Sequence, residues 1–167
     1  MDDNDYRGRD LRSAELARAN LSRKDLSKCD LSGADLDSAD LTEAVLEDAV
    51  LEGAVLSDAK LTGANLARAD LYMAFLYRAN FQQAVLRDAE LLGANLTEAN
   101  LNGADLTGAK LGPSKIGTPT RLQGATLIDA NVSQADFTGA QYDHHTQFPV
   151  HFLPAEHGLV VSEETDD

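Results

Sequence analysis

Apolar residues recur at every fifth position along most of this chain. Twenty leucines hold the register from Leu11 to Leu111, interrupted only by Phe81; Tyr6 and Ile116 extend it to 23 consecutive positions. Two residues before these centres stands Ala in 18 of the 23 cases. A period of five suits neither regular element. On an α-helix each step of five rotates the next Leu by about 140°, so no apolar face forms. On a straight strand an odd step sends successive leucines to opposite sides. The chain must therefore turn once per repeat, and the repeat sets the architecture.

The unit follows from the same geometry. In an extended trio, the Ala and the central residue point inward and the residue between them points outward. Two more residues, often Gly, Ser, Thr, Asp or Asn, make a corner. Around Leu41, Ala39 and Leu41 face in, Asp40 faces out, and Thr42 and Glu43 turn the chain.

Runs such as Ala34-Asp35-Leu36-Asp37-Ser38 and Ala64-Asn65-Leu66-Ala67-Arg68 resemble the pentapeptide-repeat proteins. The resemblance covers residues 4–144. It implies an all-β fold, a right-handed quadrilateral β-helix with 20 residues per coil and about seven coils in all. It says little about function, because one solenoid serves many purposes.

Charge offers an internal test of four sides. With 20 residues per coil, residues 20 apart stack at about 4.8 Å. Corner columns then read Lys28, Asp48, Arg68, Asp88; Asp58, Arg78, Glu98; and Arg23, Glu43. All six neighbouring pairs have opposite signs. At a spacing of 10, four of six such pairs are alike; a spacing of 25 also gives only opposite pairs, three of them. The outward mid-face position stacks like charges instead: Asp5 on Asp25, Asp10 on Asp30, Glu15 on Asp35, Asp70 on Glu90. These carboxylates are expected to accept hydrogen bonds from nearby backbone N–H groups.

The register divides the 167 residues into a main repeat at 4–116, a break at 117–121, a final coil at 122–144, and a C-terminal cap with an acidic tail at 145–167. From Ile116 to Leu122 the step is six, amid Gly112, Pro113, Gly117 and Pro119, which predicts a bulge or short loop. The repeat rod should be about 34 Å long. Open solenoid ends need protection. Asn4, Arg9 and Lys24 replace Ala in the first coils, as fits a mouth where polar groups reach water. The stretch from Tyr142 to Pro149, with Phe152, Pro154 and Gly158-Leu159-Val160, resembles a segment that closes the open end in cyanobacterial and other bacterial relatives. Phe148, Phe152 and Leu153 are the expected plug, and residues 162–167 the expected disordered end.

Nothing in the chain spells out catalytic chemistry. The four histidines, His144, His145, His151 and His157, lie in the tail, where adjacent side chains diverge; no metal or cofactor is expected. No nucleophile triad, phosphate loop or cysteine pair is recognisable. A convex rod offers no enzyme cleft, so no enzymatic activity is expected. The lone Cys29 sits at an inward position and reads as a buried structural thiol. No apolar run approaches the roughly 20 residues of a membrane span. The acidic opening lacks the positive region of a secretory signal, so the expected compartment is the cytoplasm.

Two surfaces remain as candidates. Outward apolar residues Val55, Tyr72, Met73, Phe75, Tyr77 and Leu92 should stack into one patch, suited to a protein partner or to self-association. The other is an acidic belt of Asp37, Glu43, Glu47, Asp48, Glu52 and Asp58 in a chain of net charge −14. Some pentapeptide-repeat proteins mimic DNA to engage DNA gyrase, so the resemblance implies a type II topoisomerase as the alternative partner. Against this, residues 4–144 carry 21 acidic and 14 basic residues, about a third of the net charge of duplex DNA of equal length. Direct nucleic-acid binding is not expected, for want of a broad basic stripe. The first reading is a protein-binding scaffold.

Overall fold

The computed structural model describes residues 5–162. The chain forms a continuous parallel β-ladder solenoid. Mid-face residues bridge at intervals of 20, as in Asp25↔Val45, Asp30↔Val50, Asp35↔Val55 and Asp40↔Lys60. A turn follows every fifth residue, so each 20-residue coil has four faces. We number the faces by the outward residues Asp25, Asp30, Asp35 and Asp40, first to fourth.

The backbone polar groups explain why so short a repeat is stable. Around Leu41, the Leu41 N–H donates to Lys60 O in the next coil at 2.7 Å, and Glu43 N–H to Thr62 O at 2.9 Å. Asp40 N–H donates back to Ala19 O at 2.9 Å, while Ala44 N–H closes the turn on Leu41 O at 3.0 Å. The fifth donor, Thr42 N–H, goes to the Asp40 carboxylate at 3.0 Å. Every N–H of the repeat is thus satisfied. The same bond recurs at Asp25, Asp30, Asp35, Asn65, Asp70, Asn80, Asn95 and Asn100. This is why aspartates stack at mid-face: Asp5, Asp10, Asp25, Asp30, Asp35 and Asp70 each have a local backbone donor, whereas Glu15 and Glu90, one methylene longer, do not make this bond.

Each turn ends on a residue with positive φ, such as Arg68 (57°), Met73 (56°) and Glu98 (58°), or on Gly. That backbone is the second central position of a type II turn, where Gly is ordinarily favoured. Inside, the leucines from Leu26 to Leu111, with Phe81 and the alanines, are fully buried in one cluster. Cys29 belongs to it; its Sγ donates to Tyr6 O at 2.9 Å, and burial pushes the thiol pKa up.

The break is larger than the six-residue step implies. Asn95 bridges Arg121 and Asn100 bridges Thr126, 26 residues on. The leucine column stops at Leu111, and Ile116 is 80% exposed rather than interior. Residues 113–119 leave the coil, and buried Thr120 resumes it at the Ala position before Leu122. The Thr120 hydroxyl accepts from Gly93 N–H at 2.9 Å and sits 2.8 Å from both Leu91 O and Gly112 O. Ser114 N–H to Thr118 O (2.7 Å) and Thr118 N–H to Ser114 Oγ (3.0 Å) close the loop on itself.

At the C-terminal end the chain folds back on the last coil, and one expected plug residue is corrected. Strand β1 (Gln141–Tyr142) pairs in parallel with β2 (Val160–Val161), extending the third face by one strand. Between them, a 3-10 turn at Pro154–His157 brings the chain back. Phe152 packs edge-on to Phe137 (centroids 5.4 Å) and stacks on Phe148 (5.0 Å). Leu153 does not join this plug: it is 54% exposed, and Leu159 is buried instead. The turn at Pro154 faces Leu153 outward, whereas Leu159 follows it inward. Ser162, expected to be disordered, donates its N–H to Tyr142 O at 2.8 Å; residues 163–167 and Asn4 lie outside the described residues.

Candidate interaction surface on the third face

The third-face ladder runs Glu15, Asp35, Val55, Phe75, Asn95, Arg121, Gln141. Phe75 stands at its middle, 51% exposed, directly on Val55. A large aromatic ring at a mid-face position has no inward neighbour to cover it, because the adjacent Ala74 and Leu76 take the interior. Tyr72, Met73 and Leu92 occupy the corner that precedes this face, and Tyr77 the corner that follows it. The six residues expected to form a patch therefore border one face.

The inserted loop lies on the same corner. A Cβ placed on Gly93 would fall 2.7 Å from both Met73 Sδ and Ser114 Cβ, so loop and wall are in close contact there. Lys115 Nζ lies 5.8 Å from the Tyr72 ring centre, within cation–π range. Met73, Phe75, Asn95, Thr118, Pro119 and Arg121 line a depression of about 170 Å³ between loop and face. Thr118, Pro119 and Arg121 were not among the sequence candidates. The Gly and Pro cluster marks a departure from the coil, but not the side to which the chain folds back.

The acidic belt is distributed differently. Its six residues occupy successive corners around the rod rather than one face. Four of them meet arginines: Glu43 with Arg23 (2.9 Å), Glu47 and Asp48 with Arg68 (2.6 and 2.7 Å), and Asp58 with Arg78 (3.2 Å). Hydrogen bonding to Arg68 holds the Asp48 carboxyl below its ordinary pKa. Of the six opposite-sign corner pairs, these form three; Glu98 instead accepts from Tyr77 OH at 3.2 Å. Pairs that involve mid-face carboxylates add to them, with corner Arg7 on Asp25 at 2.6 Å and Lys110 on Glu90 at 2.7 Å.

Among the described residues no group of three or more His, Cys, Asp or Glu side chains could hold a metal ion, and no helix is long and apolar enough to cross a membrane. His144 and His145 do not diverge: their rings lie 3.8 Å apart, while His157 stacks on Phe152 at 4.2 Å.

The family model for pentapeptide repeats matches in eight copies, over residues 10–48, 39–76, 74–112 and 120–141. The chain belongs to the pentapeptide-repeat family. The gap in the match, 113–119, coincides with the loop. Among solved structures it is similar to HetL, a pentapeptide-repeat protein involved in heterocyst differentiation regulation in the cyanobacterium Nostoc sp. strain PCC 7120. The two are 35% identical over 86% of this chain and 64% of HetL, with a TM-score of 0.66. The chain thus spans just under two thirds of HetL's length. Rfr23 from the cyanobacterium Cyanothece 51142 is 27% identical, covering 87% of this chain and 91% of Rfr23, with a TM-score of 0.41. QnrB1, a plasmid-mediated fluoroquinolone resistance protein, is 18% identical over 92% of this chain and 77% of the other, with a TM-score of 0.42. No curated protein sequence matches the chain.

Proposed function

We propose that this pentapeptide-repeat protein is a non-enzymatic binding scaffold, a right-handed quadrilateral β-helix that presents its third face to a protein partner. The right hand is the one that β-crossover connections adopt. The observation that carries the reading is Phe75, half exposed at mid-face beside a loop-walled depression. An exposed aromatic against a shaped apolar recess is the kind of anchor that dominates binding energy. Family membership supports a rigid interaction surface, and the likeness to HetL favours a regulatory setting. A cytoplasmic protein, with its thiol reduced and buried, suits this role.

DNA mimicry directed at gyrase is the weaker alternative. A mimic needs a row of unpaired negative charge along one side, whereas four of the six belt carboxylates are engaged by arginines. A supercoiling assay with added protein separates the readings: the scaffold reading expects gyrase activity unchanged.

The direct test is affinity capture from the source cells with wild type, with Tyr72→Ser/Phe75→Ser, and with Ile128→Ser on a different corner. The reading expects a partner retained by wild type and by the Ile128 variant but lost by the double variant. Equal capture by all three would overturn it.

A further inference from the structure

From the order of side chains on the third face, we infer that this surface pairs with a second copy of the same chain, the two rods lying antiparallel and face to face. The inference rests on the third face being the binding surface and names its partner.

An antiparallel two-fold axis through a β-ladder reverses the order of its rungs. Put that axis between Val55 and Phe75. Each Val55 then faces the other copy's Phe75, each Asp35 faces Asn95, and each Glu15 faces Arg121. These six rungs are matched, while Gln141 and Val160, beyond Arg121, have no counterpart in the other copy. Val55 and Phe75 form the apolar centre. Asn95 uses its side-chain oxygen on Thr97 N–H and Oγ, which leaves its amide N–H groups to donate. Asp35 uses one carboxylate oxygen on Asp37 N–H and has the other to accept. Glu15 and Arg121 are both exposed, and neither has an ion-pair partner among the described residues, although most other arginines here do. Each is therefore available to an opposite charge from outside.

No other face has this property. The first face reads Asp5, Asp25, Val45, Asn65, Val85, Asp105 and has no cation. The second reads Asp10, Asp30, Val50, Asp70, Glu90, Lys110, and its one cation is paired with Glu90. The fourth, Asn20, Asp40, Lys60, Asn80, Asn100, has no apolar rung. The second face also runs from acid through apolar to base, but its reversal sets Asp30 on Glu90 and Val50 on Asp70; the third face is the one whose order becomes complementary on reversal.

The corner geometry agrees. With this axis the corner preceding the third face meets the same corner of the partner copy. The protruding loop, at the Arg121 end, lies opposite the corners of the first two coils. Those carry Arg12, Ser13, Ser32 and Gly33; Arg12 is drawn to Asp10 (2.6 Å) and Asp30 (3.6 Å) on the second face, and the three small residues leave room for the loop. A net charge of −14 opposes association in general, so the contact depends on its local charge order.

Sedimentation equilibrium at physiological salt tests this with four proteins: wild type, Arg121→Glu, Glu15→Arg and the double variant. Both side chains point outward, so far-UV circular dichroism should be the same for all four. Wild type should show twice the 17.9 kDa chain mass. Each single reversal places like charges at two symmetric contacts and should weaken association about tenfold or more. The double variant should restore it. A wild type that stays monomeric at about 100 μM, single variants that associate like wild type, or a double variant that is not restored would each overturn the inference. None of these outcomes would itself remove a different protein captured through Phe75, so failure of the dimer and failure of the binding-surface reading are distinguishable.

Discussion

Arg68 reaches back one coil to two carboxylates at once, with Nε 2.7 Å from Asp48 and Nη2 2.6 Å from Glu47. Its own backbone is left-handed, φ 57°, so a residue chosen for turn comfort would be Gly or Asn. The guanidinium spans two neighbouring corner positions in a way a point charge cannot. Arg68→Ala keeps a Cβ in the same strained turn and removes only the guanidinium arm. All three side chains are at least a third exposed, so the expected effect is a small fall in Tm at low ionic strength. It should shrink in about 1 M salt, where exposed pairs are screened. An equal fall at both salt concentrations would mean that the alkyl stem, not the charge, matters.

Acid should unfold the rod through its mid-face aspartates. Asp40 is held below the ordinary aspartate range first by the Thr42 hydroxyl and then by its N–H; Asp25 is held by Ser27 in the same way, and Asp136 by Thr138. Asp10 is lowered to about 2 by its side-chain hydrogen bond with Arg12. A lowered folded pKa means that stability is fully present above the unfolded value, near 3.9. It is lost as pH falls through the folded values. Urea midpoints measured from pH 6 downward should hold to about pH 4 and fall below it. Asp40→Ala should cost about 1 kcal/mol at pH 7, and Asp40→Asn less, since Asn also accepts from the i+2 N–H. Stability that rises on acidification through this window would contradict the assignment.

Thr120 replaces the small inward Ala at the one place where the coil is interrupted. Its hydroxyl ties Gly93 N–H and the Leu91 carbonyl of the preceding coil to the Gly112 carbonyl, where the excursion begins. Thr120→Val keeps the shape and leaves buried polar groups short of a partner, which should cost about 1–3 kcal/mol. Thr120→Ser should retain most of the stability. Hydrogen exchange at Gly93 provides the local readout. Faster exchange in the Val variant but not the Ser variant is expected; no difference between them would remove the hydroxyl from the loop's anchoring.

The leucine period was enough to read the solenoid, and opposite charges 20 apart supported the four sides that the family resemblance implies, because both are consequences of a repeating geometry. Arg23–Glu43, Asp48–Arg68 and Asp58–Arg78 are found as those columns require. Non-repeating segments were harder. Ile116 falls on the five-residue beat yet is exposed, since the beat cannot tell an interior position from a chance match inside a loop. Leu153 is exposed and Leu159 buried, a difference the sequence does not carry, because in a tail without periodicity hydrophobicity does not give direction. The patch residues were legible as outward apolar positions. Arg121 and Pro119 joined them only when the 26-residue coil fixed which rung Arg121 occupies.

Two glycines of the same corner column separate backbone strain from packing. Gly53 and Gly93 both have positive φ, 62° and 72°. A Cβ on Gly53 would meet nothing within 4 Å, whereas on Gly93 it would fall 2.7 Å from Met73 Sδ and from Ser114 Cβ and 3.3 Å from Thr118 O. Gly53→Ala therefore carries only the left-handed penalty, about 1 kcal/mol. Gly93→Ala adds overpacking of about 1–3 kcal/mol, because the neighbours include loop backbone that must move. Chemical denaturation should rank wild type, Gly53→Ala and Gly93→Ala in falling stability. The Gly93 variant should also lift the loop away from Met73 and expose Thr118 N–H to faster exchange. Equal destabilisation by the two substitutions would show that the loop does not press on this corner, and the depression beside Phe75 would then lose its outer wall.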